Sequence, residues 1–212
     1  MPLEIVLFTL GPLENNTFLI ADRATGSAAL VDPSVDCEVA VREAARRGWD
    51  LQAIWLTHAH FDHFSGVREA IQAAGKPLPV GLHPKDLPLW RDKGGARLFG
   101  MDVDPGPEPT VFFTPGEDLL LGESRLDVRF IPGHTPGHVV FYSAPDKTVL
   151  CGDVIFAGSV GRTDLPGGNF DLLVTGIRRE ILSLPDDTRL LPGHGPATTV
   201  GEERRYNPYI KT

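Results

Sequence analysis

Apolar positions fall in short runs along this chain, separated by glycine, proline and charged clusters. Leu3–Leu10, Thr17–Ala21 and Ala28–Val31 are apolar or alternating and are broken by GPLENN and DRATGS, which predicts three short strands. Cys37–Arg47 has helical periodicity and stops at Gly48, a helix C-terminal signal. Leu51–Leu56 reads as a buried strand, and His63–Ala74 as a helix closed by Gly75. Residues 77–83 suggest a strand and Pro84–Arg91 a short helix. Residues 93–109, KGGARLFGMDVDPGPEP, show no period and read as a long loop, a kind of segment that is often functional. Strands follow near 110–113, 118–121, 125–131, 138–143 and 147–151. Asn169–Leu184 reads as a helix with Asn169 as N-cap, Thr188–Leu191 as a strand, and Gly201–Tyr206 as the start of a last helix. Strands and helices alternate at both ends, with antiparallel-type strands between. That pattern predicts a layered α/β domain over residues 1–212, with two sheets and helices outside.

Composition narrows the class. The chain has 212 residues, 42% hydrophobic and 23% charged, which excludes disorder, collagen and coiled coil as global descriptions. A chain of this size buries roughly 70% of its unfolded surface, enough for a sizeable core. No apolar run approaches the ~18 residues of a membrane span. The start, MPLEIVLFTLGPLENN, has no basic region and no small-residue cleavage site, so no signal peptide is expected. The net charge of −8 makes the chain a poor partner for nucleic acid or an anionic membrane. Cys37 and Cys151 give no disulfide framework, and Cys151, ending the run TVLC, reads as a small buried hydrophobe. A cytoplasmic monomer or small homo-oligomer acting on a small molecule is expected. Scarce Asn, Gln, Cys and Met (4, 2, 2 and 2) and many prolines suit a heat-adapted source. Genomic base composition would equally produce 15 Arg against 5 Lys.

The polar residues change the picture most. Four predicted strands end alike: IWL runs into Thr57-His58-Ala59-His60-Phe61-Asp62-His63, and RFI into Pro132-Gly133-His134-Thr135-Pro136-Gly137-His138. TVLC runs into Gly152-Asp153, and RLL into Pro192-Gly193-His194-Gly195. Six of seven histidines and two aspartates thus lie just past strand ends, where open α/β sheets bind ligands. Neutral imidazole and carboxylate suit zinc, iron or manganese. His58 and His60, two apart, point the same way on extended backbone, while Asp62 and His63 can aim at a second position as the chain turns helical. Three ligands from this motif plus His134 and His194 exceed one tetrahedral site, and Asp153 has two oxygens with which to bridge two ions. Ion pairs ~3.5–4 Å apart serve metal-assisted hydrolysis. A lone His-x-His would be weak evidence, but this set with three more strand-end candidates reads as a metal site. His138 reads as a supporting or structural residue, and His83, in GLHPKD, as a helix-entry residue. Asp32 either orients a ligand histidine or forms a turn before Pro33.

THAHFDH, GHTPGH, GD and GH resemble, in order, the metal motifs of the metallo-β-lactamase superfamily, over nearly the whole chain. The resemblance implies a four-layer αββα sandwich of two mixed sheets with metals at one edge. It assigns His58, His60 and His134 to one divalent ion and Asp62, His63 and His194 to a second, with Asp153 bridging. Zinc is favoured, with iron or manganese as alternatives. Class B β-lactamases commonly carry Cys near the Asp153 position and a secretory signal, and neither is found. Flavodiiron relatives have Glu where His60 stands, and RNA-processing relatives usually carry extra domains. The chain looks most like glyoxalase II, the hydroxyacylglutathione hydrolases, especially their short bacterial relatives. Glyoxalase II proper continues into a C-terminal helical domain, whereas 18 residues follow His194 here, so that domain is expected to be lacking.

What the resemblance implies is hydrolysis of a hydroxyacylglutathione-type thioester by a metal-bridging hydroxide, with Asp62 and Asp153 in the catalytic machinery. Arg162, in VGRTDLPGG, falls where those enzymes tend to carry a basic residue near the glutathione carboxylate. Arg204 and Arg205, in the tail ERRYNPYI, are expected on a solvated helix face. The alternatives are a persulfide dioxygenase with one iron, whose motif GRTD resembles, and a lactone or phosphodiester hydrolase of the same superfamily. A non-catalytic metal-stabilised module is disfavoured by the complete ligand set.

Overall fold

The computed structural model describes residues 3–211. The first half of the chain builds one six-stranded sheet from β1 (Leu3–Leu10), β2 (Asn15–Asp22), β3 (Ser27–Val31), β4 (Asp50–Trp55), β5 (Val80–Leu82) and β6 (Val111–Phe112), side by side in chain order. The first three strands are antiparallel and the last four, from β3 on, parallel. The second sheet comes from β7 (Asp118–Leu121), β8 (Ser124–Phe130), β9 (Val139–Ser143), β10 (Thr148–Gly152), β13 (Arg189–Pro192) and β14 (Thr198–Thr199). Strands β8, β10 and β13 run in one direction, so their carboxyl ends share an edge. A two-stranded ribbon, β11 (Ile155–Phe156) and β12 (Ser159–Val160), pairs with neither sheet but packs beside the second through Ile155 and Val160.

Strand periodicity separates the chain into four layers. On β2, Leu19 and Ala21 join a core with α1 (Glu38–Arg46) and α3 (Val67–Ala74), while Phe18 and Ile20 join a core facing the other sheet. That middle core takes Val128, Phe141 and Leu150 from the second sheet. The opposite faces of the same strands, through Val140, Val149 and Cys151, pack on Leu173 and Ile177 of α5 (Phe170–Glu180) and Val200 of α6 (Val200–Tyr206). Three cores between four layers make the αββα sandwich that the motifs imply. Asn169 caps α5, accepting a hydrogen bond from the Leu172 N–H at 3.0 Å.

Two elements differ from expectation. The helix read over 63–74 is two pieces, α2 (Phe61–Phe64) and α3, divided at Ser65-Gly66. There the Gly66 N–H donates to the Pro33 carbonyl at 2.9 Å and its carbonyl accepts from the Cys37 thiol at 3.1 Å, so tertiary bonds replace helical ones. The 93–109 loop begins with 3₁₀ turns over Lys93–Phe99, following α4 (Leu87–Arg91). Both cysteines are free and buried, and burial pushes the Cys37 thiol up to about 12. No helix among the described residues is long and apolar enough to cross a membrane.

Candidate metal centre

All seven expected ligands meet at one edge of the sandwich. His58, His60, Asp62 and His63 follow β4 of the first sheet, whereas His134, Asp153 and His194 follow β8, β10 and β13 of the second. Ligand atoms of His58, His60 and His134 lie within 4.8 Å of one another, as do those of Asp62, His63 and His194. Each triple therefore draws on both sheets. The Asp153 carboxylate stands between them, with Oδ1 3.4 Å from His63 Nε2 and Oδ2 3.6 Å from His134 Nε2 and 3.8 Å from His194 Nε2. It can sit so close because position 193 is glycine, where a Cβ would come 2.3 Å from Asp153 Oδ1.

Hydrogen bonds behind the rings decide which nitrogens face inward. Asp32 accepts from the Thr57 N–H at 2.8 Å, the Thr57 hydroxyl at 2.6 Å and His63 Nδ1 at 3.0 Å. With its own proton given to Asp32, the Thr57 oxygen accepts from His58 Nδ1 at 3.0 Å. One buried carboxylate thus fixes two rings, leaving Nε2 of both as a lone pair aimed at the centre. His134 Nδ1 donates to the Arg162 carbonyl at 2.8 Å, and His194 Nδ1 to the Leu13 carbonyl at 3.0 Å. His138 accepts from the Asp153 N–H at 3.0 Å and stacks on His58 at 4.6 Å. His83 opens the 3₁₀ turn at Pro84–Asp86, as its sequence context suggests.

Electrostatics separate the two triples. Burial, reinforced by neighbouring rings, holds His58 well below its usual pKa and His60 down to about 3. Burial also acts on His63, yet Asp153, Asp62 and Asp32 outweigh it and raise that ring well above its ordinary value. Burial raises Asp153, but His63, His134 and His194 overcome it and keep the carboxylate ionised. A point ringed by three carboxylates calls for a cation. His58 Nε2, His63 Nε2 and Asp153 Oδ1 are buried without any hydrogen-bond partner, an expensive arrangement unless another ligand meets them. These unpartnered imidazole nitrogens and carboxylate oxygen fit divalent metal ions, which would take the place of the proton that the surrounding carboxylates favour on His63.

Two supporting residues escape the sequence reading. Asp86, fully buried after β5, accepts from the Ala59 N–H at 3.0 Å, the Thr135 hydroxyl at 2.7 Å and the Gly137 N–H at 2.5 Å. It ties the His58–His60 loop to the His134 loop. Asn16 donates through Nδ2 to the carbonyls of Pro192 and Gly195 at 3.0 and 2.8 Å, fixing the turn that carries His194. Asn16 lies at the start of β2 and Asp86 in the 3₁₀ turn that follows β5.

The centre opens into a cleft of about 290 Å³ whose floor is His60, Asp62, His134, Asp153 and His194. Leu13, Phe61, Phe99 and Leu165 wall it, and Arg162 stands at its side, paired with Asp164 at 2.8 Å. Arg204 and Arg205 do not line it, and Arg204 instead binds the Leu184 carbonyl at 3.1 Å.

Residues 10–194 match the family model of the metallo-beta-lactamase superfamily, and the chain belongs to that superfamily. Its His/Asp cluster provides the metal-binding groups of that superfamily, and a relative from Bacillus subtilis named a probable metallo-hydrolase is 37% identical over 95% of this chain and 94% of its own. Among relatives, "hydroxyacylglutathione hydrolase GloC" of Haemophilus influenzae is 34% identical over 100% of this chain and 99% of its own. Among solved structures, BLEG-1, titled a B3 metallo-beta-lactamase, superposes with a TM-score of 0.91 at 34% identity, covering 99% of this chain and 100% of that one. TTHA1623 in a di-iron-bound form gives 0.86 at 41% identity, covering 96% and 99%.

Proposed function

We propose that the chain is a binuclear metallohydrolase that cleaves thioesters of the hydroxyacylglutathione type, a small-molecule enzyme of the cytoplasm. The observation that carries the reading is Asp153, one carboxylate reaching toward two complete triples at the floor of an open cleft. His58, His60 and His134 would hold one ion and Asp62, His63 and His194 the other, with the Asp153 carboxylate within reach of both. Zinc, iron and manganese all suit this donor set. Divalent ions held there supply Lewis acidity and bring the pKa of water toward ≈7. The chain's own work is positional. Asp32 and Thr57 keep the rings of His58 and His63 in the ligating tautomer, and the apolar walls keep bulk water from the acyl carbon. Asp62, open to the cleft, would accept a hydrogen bond from the O–H of the attacking water.

A thioester suits a cleft with this lining. Its thiol product has a pKa of ≈8.5, so departure needs little protonation, whereas an amide must receive a proton on nitrogen. Apart from the ligand set, Arg162 is the one ionisable side chain among the described residues lining the cleft. A substrate carboxylate at Arg162 competes with Asp164. The relative named as a hydroxyacylglutathione hydrolase, matching end to end, supports this choice.

The test is to load the purified protein with zinc, iron or manganese, count metal per chain, and assay S-D-lactoylglutathione on the same samples. Turnover with two metals per chain is expected. Hydrolysis restricted to a β-lactam, lactone or phosphodiester overturns the thioester assignment. One iron per chain with O₂ uptake on glutathione persulfide overturns the hydrolase assignment itself.

A further inference from the structure

Beside the metal cleft lies a second, smaller cavity of about 70 Å³. The two adjoin along Leu13, Phe61 and Asp62, which line both. The annex is completed by Val35 from the loop before α1 and by Met101 and Val103 from the segment after the 3₁₀ turns. The 3₁₀ turns that lead into that segment pack against α2 at Gly94, where a Cβ would come 2.3 Å from the Phe61 backbone nitrogen, and at Phe99, 5.5 Å from Phe61 between ring centres. Almost all the surface facing the annex is carbon. Leu13, Phe99 and Met101, which border the two cavities, are 46%, 48% and 36% exposed. Large apolar side chains left open around a site mark a surface that expects an apolar ligand.

We propose that the annex is an acyl-tail subsite, and that the preferred substrates are thioesters whose acyl group carries a short aliphatic tail beyond the α-carbon. The inference rests on the hydrolase reading above. The glutathionyl half is polar and finds no partner in the annex, so that half lies along the cleft toward Arg162. With the carbonyl carbon over Asp153, the tail leaves past Asp62, Leu13 and Phe61. The space equals roughly two to three water volumes, room for about two to three carbons. The lactoyl group, with one methyl beyond its α-carbon, leaves it unfilled. In the reaction water adds to the acyl carbon, the C–S bond breaks, and the products are the carboxylate, the thiol and one proton. The tail takes no part in bond making and acts through binding alone.

Each methylene moved from water into an apolar site is worth about fourfold in binding. In a series of glutathione thioesters carrying lactoyl, 2-hydroxybutanoyl, 2-hydroxypentanoyl and 2-hydroxyhexanoyl groups, kcat/KM is expected to climb about fourfold per carbon over two to three steps and then level. Val103→Phe, filling the annex, is expected to bring the hexanoyl-to-lactoyl ratio close to one, and Met101→Phe gives a second filling variant at a more exposed position. In parallel, calorimetry on the metal-loaded protein with lactate and the C4–C6 2-hydroxyalkanoates should show the same rise in affinity, abolished by Val103→Phe. A flat or falling series with lactoyl turnover intact, or a slope that survives both filling variants, overturns the subsite. If no thioester is turned over, the hydrolase reading fails, and the calorimetric slope alone decides: present, the annex binds aliphatic tails; flat, it does not.

Discussion

The two ligand triples differ in donor set and in electrostatics. His58, His60 and His134 are imidazoles only, 8% exposed or less, and burial keeps the rings neutral. In the other triple Asp62 contributes a carboxylate, Asp32 stands behind His63, and the His194 side chain is 27% exposed. There the carboxylates win over burial and raise both His63 and His194. The first triple is a rigid set of neutral donors. The second concentrates negative charge at the mouth of the cleft, which draws a cation in and also leaves it within reach of solvent.

Asp153 joins the halves, so its loss is expected to have the largest effect. Asp153→Asn should lower turnover by about 10³-fold or more and reduce metal per chain below two. Retention of both ions at full rate removes the bridging role. Next in size is the contrast between the triples. His194→Ala should leave one ion per chain, and in the unaltered protein a chelator should extract one equivalent faster than the other. His58→Ala, at a ring packed 4.1 Å from His63 and 4.6 Å from His138, should also lower the melting temperature. Equal release rates would show that exposure does not distinguish the two positions. Asp32→Asn frees the tautomers of His58 and His63 together, and a loss of about 10–100-fold in metal affinity or activity is expected from titrations.

Asp86→Asn gives the smallest effect and carries a pH signature. An amide cannot accept from both loops with both of its atoms, so the link to the Gly137 N–H is lost, at about 1–3 kcal/mol. Burial, partly offset by Thr135, Ala59 and Gly137, raises the Asp86 carboxyl to about 6 from 3.8. The folded chain therefore keeps a proton that the unfolded chain releases between pH 4 and 6. Stability from this group is greatest below about pH 4 and falls as pH rises through 6, by on the order of 2–3 kcal/mol. The urea midpoint of metal-stripped protein measured relative to Asp86→Asn across pH 4–7 should show that fall, because the histidine contributions are common to both and cancel in the difference.

The candidate ligands stand out in the sequence because they cluster just past apolar strand runs, and the structure brings them together at one edge. The spacing of His58, His60, Asp62 and His63 even indicates two directions of aim. What spacing cannot show is which strand ends become neighbours. Asp86 lies in HPKD, a plain helix-entry pattern, and its role depends on partners 27 to 51 residues away. Asn16 sits in a segment that reads only as a turn, yet it bonds to residues more than 170 positions on. The 3₁₀ turns at Lys93–Phe99 contain two glycines at positive φ, 63° and 74°, which leave no hydrophobic period to detect. The ribbon β11–β12 has two residues per strand, too short for any pattern.

Each triple takes its candidate ligands from both sheets, so ions bound there would act as rivets across the seam of the sandwich. Ligand that binds only the folded chain stabilises it by mass action, about 2.7 kcal/mol for each ion at a free concentration a hundred times its Kd. The melting temperature of this protein is then a property of its medium as much as of its cores. Chelation should act on it as a denaturant does, loosening the join between the halves while the packing inside each half stays as it was.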